Sequence, residues 1–121
     1  MKKIHYLLLL FPVFLFLEAQ AEVVEIKDLT YATYGDRELQ LDLFKPQDQE
    51  GPLPAIIWIH GGGWKNGTGK GGAKMARYFA ERNYVAISIS YRLSGEARFP
   101  AHIQDCKAAV RWLRANAKQY G

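Results

Sequence analysis

Five apolar residues, Ala55-Ile56-Ile57-Trp58-Ile59, run without a break into His60-Gly61-Gly62-Gly63-Trp64. The run is apolar on both faces and reads as a strand in the interior of a sheet. Three glycines at its end let the backbone turn sharply and offer consecutive N–H groups to a ligand with no Cβ in the way. Such groups can stabilise the oxyanion that develops during acyl transfer. A flexible glycine-rich surface loop is the plainer reading, and a buried strand running straight into the glycines argues against it.

The N-terminus carries a different signal. Met1-Lys2-Lys3 is a basic start, residues 6–17 are apolar, and Ala19-Gln20-Ala21 is a small-x-small site. This is the layout of a secretory signal peptide. A membrane anchor needs ~20 apolar residues, and this stretch has twelve with Pro12 inside it. The sequence therefore predicts cleavage after Ala21, a bacterial periplasmic or secreted protein, and no membrane anchor once residues 1–21 are removed. In residues 22–121, 14 Lys/Arg stand against 11 Asp/Glu with no long basic run. That is the pattern of a mixed solvated surface and argues against nucleic-acid binding. Cys106 is the sole cysteine, so no internal disulfide forms. It falls on an apolar helix face, where a free thiol serves as a small hydrophobe.

Periodicity organises the rest. Residues 22–34 are rich in β-formers, and Leu39, Leu41 and Leu43 alternate with Glu38, Gln40 and Asp42. That alternation predicts a strand with one wet face, paired through a hairpin turn at Gly35-Asp36. The strand through His60 and a second buried strand over residues 84–91 flank a short amphipathic helix over residues 73–82. In the last segment, Ile103, Cys106, Val110, Leu113 and Ala117 predict one apolar helical stripe. An antiparallel pair followed by strand, helix, strand, helix predicts an α/β fold with a parallel portion covered on both faces.

The His60–Trp64 string resembles the oxyanion motif of α/β-hydrolase lipases and esterases. Tyr91-Arg92-Leu93, Phe99-Pro100-Ala101, Asp105 and Trp112 extend the likeness to the hormone-sensitive-lipase-like and feruloyl-esterase-like branch. Ser94-Gly95-Glu96 departs from its usual Ala-Pro-Glu, in a loop. The resemblance implies that Gly62 and Gly63 donate oxyanion N–H groups, the third donor being the residue after the nucleophile. It places Trp64 near the acyl or alcohol pocket, although packing the loop against the body is an equal role for it. His60 is expected to brace the turn by hydrogen bonding, not to act as base, and Arg92 with Asp105 to tie strand to helix.

In that family the nucleophile, acid and base of the triad all follow these positions, and no Gly-x-Ser-x-Gly occurs here. Residues 22–121 are thus expected to be the N-terminal, incomplete part of an α/β-hydrolase domain, ending before the nucleophile elbow. The implied activity is an exported serine carboxylesterase, acting on a small-molecule or carbohydrate-linked ester without metal or cofactor. A peptidase or formamidase on the same scaffold, or a non-catalytic or nucleotide-binding α/β module, remains open.

Rival motifs are weaker. Gly67-Thr68-Gly69-Lys70-Gly71-Gly72 is a formal G-x-G-x-x-G, but residues 61–66 separate it from the strand end, where a pyrophosphate site needs its glycines. A phosphate-binding P-loop would need glycine where Trp64 stands and Ser/Thr where Gly71 stands. Ser88 and Ser90 lie within a strand and Ser94 lacks a strained elbow, so none reads as a nucleophile. No cluster has metal-ligand spacing.

Overall fold

The computed structural model describes residues 20–121. The signal-peptide reading lies outside the described residues, apart from Gln20 and Ala21. β1 (Val23–Tyr34) and β2 (Arg37–Pro46) form an antiparallel hairpin whose turn is Gly35-Asp36, where the alternation predicts it. β3 (Ala55–Ile59) leads through a 3₁₀ turn (Gly69–Gly72) and α1 (Ala73–Ala80) to β4 (Val85–Ile89), which runs parallel to it. β4 also pairs antiparallel with β2, giving the sheet order β1-β2-β4-β3. α2 (Ala101–Ala115) and a short α3 (Ala117–Tyr120) follow.

β4 is the centre of the molecule, with all five residues buried. Successive side chains of a strand point to opposite faces, and β4 feeds a separate core on each. Val85, Ile87 and Ile89 join Leu39, Leu41, Leu43 and, from α2, Leu113. Ala86 meets Phe44 of β2 and Ala76 and Ala80 of α1. Fully burying each Leu or Ile stabilises the fold by roughly 1.5–3 kcal/mol before entropy is counted. The alanines let α1 sit close to the sheet.

Two expectations are corrected here, those for β2 and α2. The apolar pattern of β3 predicts an interior strand of the complete sheet, with its edge open in the N-terminal part alone, and among the described residues β3 is the edge strand. What the pattern registered is cover on its two faces: Ile57 packs on the larger core, and Trp58 lies against Gly72 on the other side. Such cover does not require a strand neighbour on both sides. Alternation also predicts a wet face on β2, but Asp42 and Phe44 on that face are buried. Phe44 lies under α1, and Asp42 pairs with the ammonium of Lys70. In α2 the buried positions are Ala101, His102, Asp105, Ala109 and Leu113, whereas Ile103 and Val110 are more than a third exposed. The stripe is rotated because Asp105 is paired with Arg92 and His102 packs against the rings of Trp64 and Tyr91, contacts that hydropathy does not register.

Candidate active site

The glycine turn is held from both sides. Nδ1 of His60 lies 2.7 Å from the carbonyl oxygen of Gly61. The Gly62 carbonyl accepts from the N–H groups of Lys65 (3.1 Å) and Asn66 (3.3 Å). In a trans peptide the N–H points opposite to the C=O. With both carbonyls engaged, the N–H groups of Gly62 and Gly63 are turned away from those partners. Neither donates to a protein acceptor among the described residues.

The conformation explains the glycines. Gly62 and Gly63 have φ of 119° and 61°, in the region where a Cβ is disfavoured. A Cβ on Gly62 would in addition collide with the backbone oxygen of Asn66. Trp64 continues the left-handed run at φ 66°, an uncommon conformation for a bulky residue. Its carbonyl accepts from Ser94 N–H at 2.8 Å, which ties the turn to the segment after β4.

Beneath the turn lies an aromatic stack. The His60 ring, 9% exposed, lies 4.3 Å from that of Tyr91 and nearly parallel to it. Tyr91 Oη donates to the His60 carbonyl at 2.9 Å. Trp64 packs on Tyr91 (5.6 Å between ring centres) and on His102 (5.4 Å). His60 thus makes the bracing contact expected of it. Trp64 packs the loop against the body through these two rings and is itself 44% exposed. It lines a cleft of about 500 Å³ with Gly63, Phe99, His102 and Ile103, and with Lys65 and Arg98 contributing charge. Tyr91 and His102 are site residues that the sequence reading did not single out. Tyr91 stood within the Tyr-Arg-Leu run, but nothing in its spacing showed that it stacks on His60.

The remaining candidates fall away on geometry. Ser88 Oγ donates to the Gly69 carbonyl at 2.6 Å, and Ser90 Oγ accepts from Gly69 N–H at 2.9 Å, so both hydroxyls are committed. Burial, then the Asp105 charge, pushes the Cys106 thiol above its ordinary value, away from the thiolate a nucleophile requires. The G-x-G-x-x-G segment offers no open amide nest, because Gly69 N–H is bound by Ser90 and Gly71 N–H by Thr68 O at 3.3 Å. Lys70 turns away from any phosphate position. Its Nζ lies 2.6 Å from Asp28 Oδ1 and 2.9 Å from Asp42 Oδ1, and hydrogen bonds to Asp28, then Asp42, raise its pKa. No group of His, Cys, Asp and Glu among the described residues could hold a metal ion.

The family model described as BD-FAE matches residues 41–121, from within β2 onward. The chain belongs to the BD-FAE family. Esterase LipC of Mycobacterium tuberculosis is 38% identical over 92 residues, covering 73% of this chain and 23% of that protein. Carboxylesterase NlhH of the same species is 31% identical, covering 81% of this chain and 31% of that protein. Esterase B from Lactobacillus rhamnosis superposes with a TM-score of 0.72 at 30% identity, over 82% of this chain and 32% of the other. The BD-FAE chain thus spans about a quarter to a third of the length of these esterases, and its mixed sheet matches the N-terminal part of their α/β-hydrolase fold.

Proposed function

We propose that this BD-FAE chain supplies the oxyanion portion of an exported serine carboxylesterase, whose Ser, Asp/Glu and His triad comes from polypeptide outside these residues. The observation that carries this reading is the state of Gly62 and Gly63: two adjacent N–H groups without protein acceptors, on peptides whose carbonyls are pinned by His60, Lys65 and Asn66. Preorganised donors of this kind need no reorganisation when charge develops.

In the proposed reaction a serine oxygen attacks the ester carbonyl carbon, and its proton passes to the base. The carbonyl oxygen becomes an oxyanion that accepts from Gly62 and Gly63. The bond to the alcohol oxygen then breaks, and the alcohol leaves with the proton. Water hydrolyses the acyl-enzyme and restores the hydroxyl. Trp64 forms a wall of the acyl or alcohol pocket, supported by its exposed outer face on the cleft with Phe99 and Ile103. The substrate is a small-molecule or carbohydrate-linked ester, in the periplasm or outside the cell.

The test is hydrolysis of a chromogenic short-chain ester by a polypeptide that contains these residues with the segments that follow them in related esterases. It is paired with labelling by an organophosphonate that esterifies active serines. One equivalent of label on a serine outside residues 22–121, with turnover lost in Gly63→Val, supports the reading. Label on Ser88, Ser90 or Ser94, or turnover unchanged by Gly63→Val, overturns it.

A further inference from the structure

The Gly67-x-Gly69-x-x-Gly72 segment binds no phosphate in the proposed reaction, yet Gly67, Gly69 and Gly72 each sit where a side chain does not fit. A Cβ on Gly67 would strike Nδ1 of His60 and would lie 2.7 Å from the Gly61 carbonyl oxygen. On Gly69 it would lie 2.7 Å from the carbonyl carbon of Ile89 and 3.0 Å from the Ser88 oxygen. On Gly72 it would strike Ser88 Oγ and the Trp58 ring. Gly71, within the same turn, has open space around its Cβ position. Close approach is therefore required at particular positions and is not a general property of a flexible loop.

Both backbone groups of Gly69 are also bound, its N–H by Ser90 Oγ and its C=O by Ser88 Oγ. Ser90 is itself held, with its N–H on the Gln40 carbonyl (3.0 Å) and its C=O accepting from Tyr31 Oη (2.6 Å). The far end of the turn is thus fastened through Ser90 to β1 and β2.

We infer that this glycine segment and the Ser88–Ser90 pair form a dock that sets the position of the Gly62 and Gly63 donors. Gly67 acts by keeping His60 on the Gly61 carbonyl, and Ser90 acts by holding Gly69 against β4. These are positioning residues, and the inference rests on the esterase reading. A misplacement of about 1 Å in a catalytic group can cost up to ~100-fold in rate, so a loosened dock lowers kcat while leaving ground-state binding, and hence KM, almost unchanged.

The experiment compares Ser90→Ala, Ser90→Thr and Gly71→Ala in the ester-hydrolysing polypeptide, with Gly63→Val alongside. Ser90→Ala removes the acceptor for Gly69 N–H and keeps the strand, whereas Ser90→Thr restores the hydroxyl. The expected result is a kcat fall on the order of tenfold in Ser90→Ala, with unchanged KM, recovery in Ser90→Thr, and parental kcat in Gly71→Ala. Parental kcat in Ser90→Ala, with turnover lost in Gly63→Val, overturns the dock and leaves the esterase reading standing. So does an equal fall in Gly71→Ala. If Ser90→Ala does not fold, Ser90→Thr and Ser88→Ala carry the same comparison. An absence of ester hydrolysis in the parent overturns the esterase reading and the dock with it.

Discussion

Arg92 forks onto the buried carboxylate of Asp105, with Nε 3.0 Å from Oδ2 and Nη2 2.7 Å from Oδ1, while the Arg92 backbone N–H reaches Oδ2 at 2.9 Å. Asp105 is fully buried, and the Arg92 side chain is 16% exposed. The pair fixes the start of α2 to the segment that follows β4, the same segment that holds Tyr91 under the glycine turn. Removing one partner of a buried pair leaves an uncompensated charge. Asp105→Ala is expected to destabilise the fold by about 3–5 kcal/mol, measured by denaturant unfolding. A change below about 1 kcal/mol would mark the pair as exposed in solution.

For the glycine turn, Gly63→Val is expected to lower ester turnover on the order of 10²–10³-fold, the usual worth of one oxyanion donor. The residue has space for a side chain but a φ of 61°, so the loss comes through backbone geometry. Gly62→Ala is expected to do at least as much, because its Cβ meets Asn66. Steady-state kinetics of the two variants decides this.

Export makes its own prediction. Cleavage after Ala21 would leave a chain starting at Glu22, one residue before β1. N-terminal sequencing of the exported product is expected to read Glu22-Val23-Val24. An intact Met1 in a membrane fraction would count against it.

Among the described residues the outer edge of β3 is unpaired, which bears on the 121 residues expressed alone. An unpaired apolar strand edge recruits other chains, and Ile59 on β3 is 45% exposed. Beside it lies an apolar groove of about 320 Å³ lined in part by Leu53, Ile57, Val110 and Leu113. This chain is expected to be inactive toward esters and to self-associate in sedimentation velocity, and Ile59→Lys to shift it toward monomer. A monodisperse monomer without substitution contradicts the expectation.

Glu96 gives a pH signature. Its carboxyl sits below its ordinary range because of the hydrogen bond from Arg37, then the backbone N–H of Leu93. A carboxylate with a depressed folded-state pKa contributes stability above its unfolded value of about 4.3, and that contribution is lost as pH falls through the lower folded value. The pair is partly exposed, so Glu96→Gln is expected to cost less than about 1 kcal/mol at neutral pH. The loss should shrink in high salt and vanish at low pH. Melting curves from pH 7 to pH 3 test the sign.

The hairpin, the strand that ends in glycines, α1 and β4 were legible in the sequence, because period-two alternation and contiguous apolar runs are local signals. The glycine motif was legible for the same reason: its residues are adjacent, and the positive φ at Gly62 and Gly63 favours glycine. What the tertiary structure alone decided were the positions that depend on distant partners. It set β4 between β2 and β3, and it turned His102 and Asp105 of α2 inward. Asp105 is buried because Arg92, 13 residues away, neutralises it. Gly69 is pressed on the sheet because Ser90, 21 residues away, takes its N–H. Hydropathy scores a residue by its own side chain, whereas burying a charge such as that of Asp105 is costly unless it is paired, and that partner is supplied by the fold.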